Sequence, residues 1–317
     1  MAVLLLNKTA RVMYIFFVSA LLFGCMNISN DQNIATTDIE QSRDNFVATS
    51  EVTLKADGEN HGDTAYELIQ EAFGKRAIEA PDLYRKDHRD VIHIHENTDD
   101  IVGHHFVFLA HRDLDKNKGV TADRQRNEIK AYDKSSEELK GYLGDTLQYR
   151  WKFKVTKNME LSRNFSHFFQ LKAKNKSQDN ANGNDDHPVI TISGGQYKSG
   201  SNRFIISHSR GVQPGGSKAK VNYLYKGDWD VIAGEWLDVF VQASYAEQGE
   251  IKIYITRLRD KQVIVDIHKS NIDLWRGNAT TDFVRPKWGI YRSLKDKNSL
   301  RAEEEKVYFS DFSIKKQ

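Results

Sequence analysis

The segment Arg285-Pro286-Lys287-Trp288-Gly289-Ile290-Tyr291-Arg292 reads as a β-strand with two unlike faces. Side chains two apart in a strand share a face, so Lys287, Gly289 and Tyr291 stand together while Trp288 and Ile290 point the other way. The apolar pair needs a core; the amine and the phenol need something polar to act on. A glycine inside a strand marks close approach by a ligand or by another backbone. Here it is expected to clear space beside the Tyr291 hydroxyl. Two upstream segments share this pattern. If Asp123-Arg124-Gln125-Arg126-Asn127-Glu128-Ile129-Lys130 is extended, Arg124, Arg126, Glu128 and Lys130 point the same way. The glutamate would hold its cationic neighbours in place. In Phe168-Phe169-Gln170-Leu171-Lys172, Gln170 and Lys172 share one face while Phe169 and Leu171 enter the core. Taken singly, each pattern is met by an ordinary solvated strand face.

Strand signals fill most of the remaining chain. They fall at Val91–His95, His104–Ala110, Gln148–Val155, Phe165–Lys172, Val189–Ser193, Arg203–His208, Leu237–Ser244, Ile251–Arg257, Gln262–Ile267, Lys287–Tyr291 and Val307–Ile314. Turn-formers such as Gln213-Pro214-Gly215-Gly216 separate them. Residues 64–74 are the exception, an amphipathic helix with Asp63 as the expected N-cap and Gly74 as its stop. Many short strands with turns between them predict an all-β sandwich or jelly roll. No fixed-period repeat suggests a propeller or solenoid, and no glycine-rich strand-to-helix loop offers a nucleotide site. A net charge of +2 gives no whole-molecule case for nucleic acid. The single Cys excludes a disulfide framework and a multi-cysteine zinc site.

That cysteine stands where an export signal would end. Lys8 and Arg11 precede an apolar run over residues 12–23, too short to span a bilayer comfortably, which closes in Leu22-Phe23-Gly24-Cys25. The ending resembles a bacterial lipobox, although Phe23 is larger than that position usually holds. Residues 1–24 are therefore expected to be a lipoprotein signal, with Cys25 acylated and the protein exported and tethered to a bacterial membrane. Residues 25–60, rich in Asn, Asp, Ser, Thr and Gln, read as a flexible tether. Residues 61–317 then form one domain, expected to be a monomer.

In their order and separation the three polar segments resemble the jelly-roll polysaccharide lyases, the group holding alginate, glucuronan and ulvan lyases and heparin lyase I. Alginate lyases of that group carry Arg-x-Glu-x-Arg, Gln-x-His and Lys-x-Gly-x-Tyr strands. The first matches Arg126–Lys130 with Lys in place of the last Arg, and the second matches Gln170–Lys172 with Lys172 in place of His. The third matches Lys287–Tyr291. The likeness covers about residues 80–317, and the wording around Pro286–Arg292 is nearer the heparin-lyase-I-like branch. It implies a concanavalin-like jelly roll that cleaves an acidic, uronic-acid-containing polysaccharide by β-elimination, with no cofactor required. The C5 proton is poorly acidic beside a charged carboxylate, so the carboxylate must first be neutralised. Arg126 would do so through its guanidinium fork and Gln170 through its amide. Lys172 and Tyr291 are the expected base and acid. Nearby cations would favour a phenolate at Tyr291 and a neutral amine at Lys172. The sequence is equally compatible with the reverse order, with Tyr291 in both roles, and with Lys172 only binding charge. Arg124, Glu128, Lys130, Lys287, Arg292, His111 and His208 complete the expected substrate-binding set.

Other features carry less. His93 and His95 share a strand face, and His104, His105 and His111 follow, but spacing does not show three or four ligands converging, so no metal is assigned. Asp113-Leu114-Asp115-Lys116-Asn117-Lys118-Gly119 is similar to a structural Ca²⁺ loop, yet its glycine comes one place late and Arg124 stands where a bidentate Glu belongs. Trp229, Trp236, Trp275 and Trp288 are expected in the core rather than against sugar rings. Two alternatives stay open. One is a non-catalytic, lectin-like glycan-binding lipoprotein, which would keep the cations without needing Tyr291 or Lys172. The other is a glycoside hydrolase, which would need two facing carboxylates where only Glu128 is placed.

Overall fold

The computed structural model describes residues 46–175, 185–197, 199–210 and 220–317. The signal, Cys25 and most of the expected tether lie outside them. The strands are β1 (Ser50–Leu54), β2 (Ile78–Glu79), β3 (Ile94–Asp99), β4 (Gly103–Ala110), β5 (Arg124–Lys130), β6 (Thr146–Val155), β7 (Ser166–Lys174) and β8 (Ile190–Gln196). They continue with β9 (Asn202–Ser209), β10 (Val221–Asp228), β11 (Leu237–Ser244), β12 (Gly249–Arg257), β13 (Val263–Ile272), β14 (Phe283–Ser293) and β15 (Glu305–Lys316). One helix, α1 (Ala65–Phe73), precedes β2.

Two antiparallel sheets result. One runs β10-β9-β8-β7-β14-β5-β2; the other runs β13-β12-β11-β6-β15-β4-β3, with β1 added on β15. This is a jelly-roll sandwich, as the alternation predicts. The inner faces meet around Trp288, fully buried on β14. Its ring lies 5.4 Å from Phe169 of β7, 5.8 Å from Trp151 of β6 and 5.3 Å from Phe312 of β15. Phe73 of α1 stacks on it at 5.8 Å. The other tryptophans expected inside, Trp229, Trp236 and Trp275, are buried too.

Two boundaries differ from the sequence reading. The tether ends early, because Ser50–Leu54 pairs with the last residues of β15 and Leu54 is buried. The polar composition of the segment hid a strand that gains its order only from a partner more than 250 residues away. The helix N-cap is Thr64 rather than Asp63: its hydroxyl accepts from Glu67 N, and the Glu67 carboxylate accepts from Thr64 N at 2.8 Å, a reciprocal capping box.

Candidate active site

Strands β5, β14 and β7 lie side by side, so their polar faces form one surface on the outside of the seven-stranded sheet. Arg126, Tyr291, His167 and Ser193 are successive cross-strand partners over β5, β14, β7 and β8. Lys130, Lys287, Gln170 and Thr191 form a parallel row. Lys172 faces Arg285 in a third.

The floor of this surface is an ion network around two buried carboxylates. Glu128 accepts from Lys287 at 2.6 Å and also from Arg126 and the Gln170 amide. Glu79, from β2, accepts from Lys287 at 2.8 Å and Lys118 at 2.5 Å, and also pairs with Lys130. Burial alone would raise both carboxyl pKa values. Lys287 and Arg126 outweigh it and hold both below the usual range, Glu79 far below. Four cations thus share two anions, and the surface keeps an excess of positive charge beside the unshared Lys172 and Arg285.

Tyr291 stands where two guanidiniums meet. The Arg126 guanidinium carbon sits 3.7 Å over its ring, and Arg124 Nη1 donates to its hydroxyl oxygen at 3.1 Å. A guanidinium only donates, so the Tyr291 oxygen accepts here and its own O–H is not used in this bond. His167 is the residue across from it, with ring centroids 6.1 Å apart. Its Nδ1 lies 2.7 Å from Ser193 Oγ. Burial pushes its pKa down to about 4, with Arg126, Lys172 and Lys287 adding to the effect against Glu128, so the imidazole is neutral. Lys172 donates to Asp186 O at 2.7 Å. Burial first, then Lys287, Arg126 and Arg285, lowers its pKa to about 8.

The sequence reading missed His167 and Glu79. Counting alternation back from Gln170 puts Phe168 outside and His167 in the core. A bulge at Phe168 reverses this: Phe168 and Phe169 are both buried, and His167 comes to the polar face. Glu79 sits in a two-residue strand with no alternation to read.

Several expected placements are corrected. Lys172 shares the face of Tyr291 but lies five residues along β7 from His167, about 16 Å of strand. It is not the neighbour of the phenol. Gln170 is buried with its amide nitrogen committed to Glu128, and Arg126 Nε and Nη1 are committed to Asn117 and Glu128. Arg292 points into the core, where Nε donates to Gln125 at 2.6 Å and Nη1 pairs with Glu305. His208 also faces inward with Phe204 and Ile206, its Nε2 2.7 Å from Asp273 O. His111 packs against His88 and His93 rather than the Tyr291 row. The oxygens of the calcium-like loop are taken by protein groups: Asp113 by Arg112 and Lys297, and Asn117 by Arg126. Gly289 is required by backbone, not by space at the hydroxyl. Its φ is 143°, and a Cβ there would lie 2.1 Å from Asn127 O.

A two-sheet jelly roll with a cationic polar face offers a surface suited to an anionic chain. The chain belongs to the polysaccharide lyase family, whose sequence profile matches residues 88–313, and is a polysaccharide lyase. No curated protein sequence matches it. Among solved structures it is similar to the endo-β-1,4-glucuronan lyase from the fungus Trichoderma reesei, at 13% identity over 85% of this chain and 95% of that one, with a TM-score of 0.52. It is also similar to the alginate lyase Aly36B, at 11% identity over 85% and 98%, TM-score 0.52. A marine alginate lyase from Aplysia kurodai gives 10% identity over 85% and 99%, TM-score 0.52. At these identities the likeness is one of fold.

Proposed function

We propose that the protein cleaves a uronic-acid-containing polysaccharide by β-elimination, with Tyr291 and His167 handling the protons. The observation that carries this reading is the Arg126–Tyr291–His167 row, which sets a phenol beside a neutral imidazole on a cationic surface. In this scheme His167 takes the C5 proton, electrons move to expel the 4-O-linked sugar, and Tyr291 gives its proton to the departing oxygen. The positive excess of Lys118, Arg126, Lys130 and Lys287 over Glu79 and Glu128, together with Lys172 and Arg285, stabilises the uronate as charge develops on it. Lys172 then binds the anionic chain rather than acting as the base.

Digestion of a panel of uronate polymers, followed by ultraviolet absorbance of unsaturated ends, tests the reaction. Reducing ends without unsaturation would mean hydrolysis, and retention without cleavage would mean a lectin. Tyr291→Phe and His167→Gln should each lower kcat by roughly 10²–10⁴-fold in a folded protein. Lys172→Met should mainly raise KM; a collapse of kcat there would return the base role to Lys172. Export and lipid anchoring at Cys25 are proposed from the sequence of residues 1–25. Labelling with a fatty-acid analogue in the cell checks this, since Cys25→Ala should lose the label.

A further inference from the structure

We propose that His88, His93, His111 and Asp115 hold a zinc-class divalent ion in a closed four-ligand site, apart from the Tyr291 row. Their potential ligand atoms all lie within 4.8 Å of one another. His88 Nδ1, His93 Nε2 and His111 Nδ1 converge on Asp115 Oδ1 at 2.9, 3.0 and 3.4 Å. The three rings stand nearly perpendicular to one another, at 86–88°, with centroids 4.8, 5.0 and 5.2 Å apart. Imidazoles arranged tetrahedrally around an ion about 2.1 Å from each nitrogen would have centroids about 5 Å apart.

The outward nitrogens argue further. His93 Nδ1 is flanked by acceptors, Val91 O at 2.8 Å and Asp82 Oδ1 at 3.0 Å, so it carries a hydrogen. His111 Nε2 faces Glu304 Oε2 at 2.9 Å and carries one too. In the neutral rings, His93 Nε2 and His111 Nδ1 are therefore lone pairs aimed at a carboxylate oxygen. His111 Nδ1 is buried without a hydrogen-bond partner. Lone pairs converging on a carboxylate need a cation among them, and imidazoles whose far N–H is held by a carboxylate or carbonyl are the usual support of a metal. The second Asp115 oxygen is already fixed by His111 N at 2.6 Å and Gln125 Nε2 at 3.3 Å, which turns Oδ1 toward the rings.

Four protein ligands leave no open position, so the role is structural. The ion would tie the segment carrying His88 and His93 to the loop after β4. That loop supplies Asn117 to Arg126 and Lys118 to Glu79, so the ion would steady one wall of the catalytic surface.

The whole mature protein, treated with chelator, incubated with ZnCl₂ and desalted, should retain about one equivalent of zinc by elemental analysis. The Co²⁺ form should give an intense visible spectrum of tetrahedral type. His111→Ala and Asp115→Asn should lose the ion. Glu304→Gln, a partly exposed change expected to fold, should weaken zinc binding roughly 10–100-fold. No retained zinc in the wild type, a weak octahedral Co²⁺ spectrum, or wild-type affinity in all three variants would overturn the site and leave a hydrogen-bonded, protonated histidine cluster.

Discussion

Lys172 and Glu79 show how single side chains set the behaviour of the active surface. The Lys172 amine is held near pKa 8 by burial and by cationic neighbours, against about 10.4 in an unfolded chain. Two consequences follow from that sign. Anionic substrate should bind less well as pH rises through about 8, so KM should climb there; a base role would instead make kcat rise over the same interval. The unfolded state binds the extra proton between about 8 and 10.4, so Lys172 opposes folding at neutral pH and the penalty is relieved above it. Lys172→Met should therefore raise the midpoint of thermal unfolding at pH 7 while weakening substrate binding, a trade of stability for function. Glu79 is the opposite case. Its carboxylate is stabilised by Lys287, Arg126, Lys130 and Lys118, so its contribution is present above about pH 4.5 and lost as pH falls through its lower folded value. Glu79→Gln leaves buried cations short of a partner and should cost about 3–5 kcal/mol in urea unfolding at pH 7. An unchanged midpoint would remove Glu79 from the network.

At the scale of the strand, the bulges in β7 and β14 decide which residues meet. The extra residue in β14 at Gly289–Ile290 faces the one at Phe168, and together they bring Tyr291 opposite His167. Gly289 makes this possible by letting the β5 backbone come close: a Cβ would sit 2.1 Å from Asn127 O and 2.7 Å from Glu128 Cα at a φ of 143°. Backbone cannot swing aside as a side chain can. Gly289→Ala should destabilise by about 3 kcal/mol or more and lower activity by shifting Arg126 and Glu128 away from Tyr291. Denaturant melts and lyase assays on the same sample check both effects, and wild-type values in each would contradict this account of the bulge.

Across the whole molecule, residues remote in sequence close the sandwich. Arg292 of β14 and Glu305 of β15 link the two sheets through a pair that is almost wholly buried. Removing one partner strands the other charge, so Arg292→Met should cost about 3–5 kcal/mol, whereas the double change Arg292→Met with Glu305→Leu should recover most of it. Failure of the double variant to recover would point to Gln125 and Glu160 O as the more important partners. Leu54→Ala tests the early end of the tether in the same way, with an expected loss of about 2–5 kcal/mol if β1 belongs to the fold.

Period-two alternation and the absence of long helical patterns made the all-β sandwich legible, and the polar faces of β5 and β14 followed from the same rule. Alternation likewise marked Trp288 for the core, on the face opposite Lys287 and Tyr291. Alternation fixes the relative faces of neighbours in a regular strand, but it cannot say where a bulge breaks the count, nor which end of a strand lies over the active surface. For that reason His167 was hidden while His208 and Arg292 looked available. Glu79, the commitment of the Gln170 amide to Glu128 and the convergence of His88, His93, His111 and Asp115 depend on pairing between distant segments. Those contacts exist only once the sheets have closed, because electrostatic and metal-ligand geometry is set by distance in space rather than by spacing along the chain.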